Sequence, residues 1–166
     1  MNVEKQQNKI VFPQKALYFN EVDINYSMTL DSNEKKFKKI LSLKVNIIIG
    51  KCEIIRKTIV FKDKFGKEIV SCKMSVELIL DSNIRYMSVN DEPTLEFKTC
   101  RQARNIFITI PKYMYDENSI DLLRKRRILI TPFIEDIYYR VLQDNEINVN
   151  IAVFTNAEFL EGEHGI

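Results

Sequence analysis

The sequence predicts an all-β fold, an antiparallel sandwich or barrel-like domain with one short helical segment and an N-terminal arm. Three observations predict it. Apolar and polar residues alternate in run after run, the two-residue period of a half-buried strand. The runs recur at intervals of about 10 residues with turn residues between them, the spacing of sandwiches and barrels. Only four glycines and four prolines occur in 166 residues, which implies mostly regular structure and little linker.

Met1 to Lys9 is polar, and the arm is expected over residues 1–34. Within Ile10 to Leu30, the apolar segments IVF and ALYF precede VDINYSMTL. Val22, Ile24, Tyr26 and Met28 fall on one side there and read as a strand. That strand adds either to its own sheet or to a neighbour's. DSNEKKFKK is a connector, with Asp31 or Ser32 placed to cap a helical turn. The β domain is expected over 35–160 and a fraying tail over 161–166.

From Ile40 onward, Leu41, Leu43, Val45, Ile47 and Ile49 share a face, and Cys52 to Phe61 reads as a second, β-branched strand. FKDKFGK supplies Asp63 and Gly66 for a hairpin turn. Glu68 to Leu80 returns with Val70, Cys72, Met74, Val76, Leu78 and Leu80 on one face. Asp81-Ser82-Asn83 reads as another turn, and Ile84 to Val89 as a strand carrying Tyr86. NDEP (Asn90 to Pro93) breaks that strand, and Thr94 to Cys100 follows. Ile106, Ile108 and Ile110 then alternate up to Pro111. In YMYDENSIDLLRKRR, Ile120, Leu123 and Arg124 fit a helix face. A closing hairpin pairs Ile128 to Leu142 with Ile147 to Phe154 across Gln143 to Glu146, with Ile147, Val149, Ile151 and Val153 on one face.

A chain of this length buries roughly 70% of its unfolded surface, so no metal or disulfide staple is required. Lys and Arg number 25 against 23 Asp and Glu, a net charge of +2. That gives no strong field for phosphate or anionic lipid. Two local basic clusters stand out, residues 35–39 and 124–127, and they define the alternative function of a nucleic-acid-binding β domain. No apolar run reaches the ~18 residues of a membrane span. MNVEKQQNKIVF lacks the apolar core of a secretory signal, so synthesis in the cytoplasm is expected.

Chemistry-bearing patterns are few. His164 lies in the terminal EGEHGI, where a site is not held rigid. Glu135 and Asp136 are adjacent, so on a regular strand they point to opposite faces and do not act on one bond. An enzyme using that carboxylate pair is the second rival. Four scattered glycines make no phosphate cradle, and no cofactor or metal is expected. Cys52, Cys72 and Cys100 show no CxxC spacing. Pairing symmetrically about Lys64–Phe65 would set Cys52 opposite Glu77, which disfavours a Cys52–Cys72 bond. Cys52 and Cys100 are candidates for intermolecular crosslinking.

The closing segment TPFIEDIYYRVLQDNEINVNIAVF resembles the C-terminal signature of the SPOCS domain family, at Pro132, Phe133, Ile134, Glu135, Asp136 and Ile137. KKILSLKVNI (Lys38 to Ile47) is similar to that family's opening strand. KMSVELILDSNIRYMSVNDEP (Lys73 to Pro93) is similar to its central hairpin, and IFITIP (Ile106 to Pro111) to a strand closing on proline. The resemblance covers Lys35 to Phe159. It implies a structural or adaptor protein of the bacterial endospore envelope, in coat or exosporium, acting through protein–protein association without catalysis. It implies synthesis in the mother-cell cytoplasm, deposition on the spore surface layers, and self-assembly or association with other envelope proteins.

Overall fold

The computed structural model describes residues 16–30, 36–62, 64–89, 92–142 and 145–161. Met1 to Lys9, the IVF segment, the proposed caps Asp31 and Ser32, Asp63, Gln143, Asp144 and His164 lie outside the described residues.

Eight strands and one helix follow in order: β1 (Tyr18–Thr29), β2 (Lys36–Lys62), β3 (Glu68–Val89), β4 (Pro93–Pro111), β5 (Tyr113–Met114), β6 (Glu117–Asn118), α1 (Ser119–Arg124), β7 (Ile128–Val141) and β8 (Glu146–Phe159). They build two three-stranded antiparallel sheets, ordered β1-β8-β7 and β2-β3-β4, beside a two-stranded β5-β6 ribbon. The sheets face each other with β1 nearest β4 and β7 nearest β2. The fold is an all-β sandwich, not closed into a barrel.

Alternation fills the space between the sheets. From the central strand β3, Met74, Val76, Leu78, Leu80 and Ile84 point inward; from the central strand β8, Ile147, Val149, Ile151 and Val153 meet them. Central strands bury their inward face most completely because they have a neighbour on each side. Ile24, Tyr26, Met28 and Leu30 of β1 and Ile106, Ile108 and Ile110 of β4 complete the core. The segment before residue 34 thus adds a strand to its own sheet. β1 pairs with β8 over its full length, Tyr18 opposite Ala157 through Thr29 opposite Glu146. Residues 18–30 belong to the β domain rather than to an arm beside it.

Three expectations change. Leu41–Ile49 and Cys52–Phe61 are one strand, not two, because the chain passes Gly50 and Lys51 as a bulge rather than a reversal. The Lys51 N–H donates to Glu77 Oε2 at 3.1 Å, and the Glu77 carboxylate lies over Gly50 where any Cβ would collide with it. Second, Leu41 points outward at 40% exposure. An extra residue between Ile40 and Ser42 shifts the register and gives Ile40 the inward position. Third, Asp81-Ser82-Asn83 is not a turn. β3 continues through it, with Ser82 buried and bonded to Tyr26 Oη. Asp81 accepts two bonds from Arg101 across the ladder, at 2.6 and 2.9 Å. Asp81 is held by its cross-strand partner and Ser82 by a residue of the facing sheet, both in extended backbone.

The helix closes one end of the sandwich and carries the chain from β4 to β7. Asn118 Oδ1 caps the Ile120 N–H at 2.9 Å, and Ser119 Oγ donates to the Pro111 carbonyl at 2.6 Å. Leu122, rather than Ile120 or Leu123, is the fully buried anchor. Arg126 ends the helix in left-handed backbone (φ 57), with Arg126 N–H bonded to Leu123 O and Arg127 N–H to Leu122 O. Those two bonds satisfy carbonyls that the last turn would otherwise leave bare.

Candidate interaction surface

Among the described residues no three His, Cys, Asp or Glu gather as metal ligands. A cleft of about 270 Å³ opens beside α1, lined by Ile54, Thr58, Cys72, Lys112, Asn118 and Ile120. Its Asn118 oxygen is committed to the helix cap. Burial pushes its Cys72 thiol above the usual range, against a smaller opposing pull from Lys112. A protonated thiol is a poor nucleophile. Glu135 and Asp136 are both exposed, at a register shift between Ile134 and Asp136. Asp136 Oδ1 accepts from the Ile137 N–H at 2.9 Å.

The basic clusters stay apart. Lys38 and Lys39 are exposed at the start of β2, where Lys39 lies opposite Met87. Arg124 to Arg127 follow β4, whose end at Pro111 lies opposite Ser71. From Ser71 to Met87 is about 50 Å of strand contour. Arg124 pairs with Asp121 at 3.5 Å, while Lys125 and Arg127 both bind Glu117. Those two cations, the hydrogen bond from Lys125 foremost, hold the Glu117 carboxyl below the usual carboxylate range.

Besides the buried side-chain oxygens of Asn150, Thr155 and Asn156, which have no partner, the sheets present edge backbone. β1, β7, β2 and β4 each have one neighbour in their sheet. In an antiparallel ladder, alternate residues turn N–H and C=O toward the partner and the others turn them away. Leu160 N–H donates to Arg127 O. Counting in twos along β7 therefore puts Leu129, Thr131 and Phe133 toward β8, and Pro132 away from it. Proline's missing N–H then costs no ladder bond and removes one donor from the open edge. Three residues later comes the bulge at Glu135. The Pro-Phe-Ile-Glu-Asp-Ile string thus reads physically as an edge-blunting device. Phe133 also lies tilted against Phe154, which stacks on Phe19, with ring centroids 6.0 and 5.3 Å apart.

β2 is blunted more heavily. It uses 27 residues to pair with the 22 of β3. The excess of five is taken up at four register shifts, all on β2. Lys38, Lys39, Lys44, Lys51 and Lys62 stand exposed along it, and lysine on an edge strand opposes pairing with another chain.

β1 and β4 differ. Neither pairing, β1 with β8 or β4 with β3, has a register shift. Lys112 N–H donates to Val70 O, so even-numbered β4 residues face β3 and odd-numbered ones face outward. Asn20 Nδ2 confirms this by donating to the outward Phe107 carbonyl at 3.1 Å. Leu95 and Phe97 are exposed beside this edge, at 48% and 65%.

All three cysteines are free. Cys52 is half-buried opposite Val76, one residue from the expected Glu77, because the hairpin pairs about Phe65 and the shift between Ile55 and Thr58 then moves the ladder by two residues; Cys72 lies opposite Thr58. Burial raises the Cys52 thiol above its usual range. Cys100 sits half-buried on β4, opposite Ser82, with Gln102 Nε2 at 3.6 Å from its sulfur. No family model, curated protein or solved structure matches this chain. No helix of the described residues is long and apolar enough to cross a membrane.

Proposed function

We propose that this chain is a structural or adaptor protein that works by strand-edge association, and that it belongs to the envelope of the bacterial endospore. The open sandwich carries the first part. A sheet whose outer strands have one neighbour presents rows of backbone donors and acceptors, which bind an extended segment of another chain without any reactive group. The motif residues Pro132 to Ile137 carry the second part, through their likeness to SPOCS domains.

Light scattering on the purified chain, and on mixtures with candidate envelope proteins, tests association. Complexes larger than one chain are expected at micromolar concentration. A chain that stays solitary alone and in every mixture rejects the reading. Transcription confined to sporulation tests the envelope assignment separately, and constitutive expression removes it while leaving the association mechanism intact.

A further inference from the structure

β4 has an open edge with sharp limits. Its outward-facing residues are the odd ones, from Pro93 to Pro111. Pro93 has no N–H to offer. Fourteen residues on, the outward carbonyl of Phe107 is already taken by Asn20. Between these limits the outward Ala103 carbonyl accepts from the exposed Arg104 Nη1 of its own strand at 3.1 Å, a bond Arg104 gives up on turning to Glu96 of a second copy. The window between Pro93 and Phe107 runs from Leu95 to Asn105, and its midpoint is Cys100. A second copy of the same strand, turned about a two-fold axis through Cys100, sets Pro93 opposite Phe107. The missing donor then meets the occupied acceptor, and neither loses a bond.

The side chains agree with that register. Pairing about Cys100 places Glu96 opposite Arg104 of the second copy, and Arg104 opposite Glu96, on one face of the joined sheet. Lys98 meets Gln102, and Phe97 meets Ala103. A shift of two residues one way puts Arg101 against itself and Lys98 against Arg104. A shift the other way loses both Glu96–Arg104 pairs. Opposite charges directly across a strand pair stabilise it and like charges destabilise it.

We infer that the chain forms a two-fold dimer in which β4 pairs with β4 of a second copy, in antiparallel register centred on Cys100, to give one continuous six-stranded sheet. This rests on the association reading above and names its partner. An isologous contact of this kind closes on itself and builds a dimer, not a fibre. Even residues form the non-hydrogen-bonded pairs, whose Cα atoms approach to about 4.5 Å, within the span a disulfide bridges. Cys100 is thereby a reporter of the register.

Sedimentation and thiol crosslinking test it on the full chain. The native protein should sediment as a dimer. With oxidised glutathione, two Cys100 thiols should join as a disulfide while one glutathione disulfide is reduced to two thiols. The product should have twice the chain mass, disappear in Cys100→Ser and persist in Cys52→Ser. Ala103→Pro removes an outward donor without touching the β3 ladder and should leave single chains. Arg104→Glu should weaken association roughly tenfold, and adding Glu96→Arg should restore it. Circular dichroism on each variant separates lost pairing from lost fold, and crosslinking of the native chain needs no folded variant. An oligomer indifferent to Ala103→Pro and to the charge swap, and uncrosslinked through Cys100, overturns this inference but leaves the association reading standing. A native chain that is solitary at every concentration overturns the inference, whereas binding to a different envelope protein would still uphold that reading.

Discussion

The two flanks of the sandwich are built to opposite specifications. On the flank of β2 and β7, all five described register shifts occur, together with Pro132 and a line of exposed lysines. On the flank of β1 and β4, the ladders run without a shift. Edge strands risk indiscriminate pairing, and bulges, prolines and lysines are the usual defences. A molecule that needed to stay single would defend both flanks. This one gathers its bulges on one side, and the proposed pairing uses the other.

The largest effect that breaks this comparison is loss of β1. Removing residues 1–30 takes Ile24, Tyr26, Met28 and Leu30 out of the core and strips β8 of one neighbour. At about 1.5–3 kcal/mol for each buried side chain, the loss is roughly 6–12 kcal/mol. That matches the whole stability of a typical domain, about 5–15 kcal/mol. The truncated chain should show no cooperative thermal transition. If it melts cooperatively and keeps its assembly, β1 is an accessory after all.

A smaller effect probes the stitch between the sheets on the same flank. Tyr26 reaches from β1 to Ser82 of β3, and burial dominates the upward push on its phenol. Tyr26→Phe leaves the Ser82 hydroxyl buried without that partner, at a cost of about 1–3 kcal/mol. Adding Ser82→Ala should return much of it, since removing both polar groups leaves nothing unsatisfied. Urea unfolding of the two single variants and the double variant measures the coupling. Strictly additive costs would show that the bond contributes nothing.

Much of the sandwich was legible because alternation reports burial directly. Val22, Ile24, Tyr26 and Met28, the even residues of β3 from Cys72 to Ser88, and Ile147, Val149, Ile151 and Val153 turn inward as the two-residue period requires, whereas Val70, expected on the same face, is 37% exposed near the start of β3. The turn misread at Asp81-Ser82-Asn83 came from composition, since those residue types favour turns. The inward phase from Cys72 to Ser88 nonetheless runs through Ser82 without slipping, and an unbroken phase is the mark of an unbroken strand. The bulges on β2 were not legible, because an extra residue in a β-rich run leaves no compositional trace until its partner strand is known. Pro132 was noticed as a motif residue. Its meaning needed the ladder phase, which the Arg127–Leu160 bond supplies. The same holds for the β4 edge: Cys100 was a candidate crosslink from its number alone, and the window centred on it needed the Asn20–Phe107 contact.

On the defended flank, Gly50→Ala tests one bulge. The new Cβ would lie 2.2 Å from Glu77 Oε2, so the carboxylate must swing away and the Lys51 N–H loses its acceptor. Glu77 is a flexible side chain, which limits the cost to about 1 kcal/mol. Thermal melting should register that drop. Sedimentation should not change, because β2 is already closed to partners by its other shifts and its lysines. A simultaneous loss of association would place the contact on β2 instead of β4.

Pro132→Ala should have the smallest effect on stability and the most informative one on assembly. The substitution restores an N–H that points away from β8, where no ladder bond waits for it. Alanine also relaxes the unfolded chain relative to proline, a change of about 0.4–1 kcal/mol. The melting temperature should therefore fall by a few degrees at most. The restored donor completes a row on the open side of β7 between Ile130 and Ile134, and that side then accepts a strand. With β4 engaged in a closed dimer, a second sticky edge per chain links dimers onward, so light scattering should show species beyond the dimer that grow with concentration. If the variant keeps the native size distribution, the bulge at Glu135 alone defends this edge, and the proline serves the turn of the backbone there rather than the choice of partner.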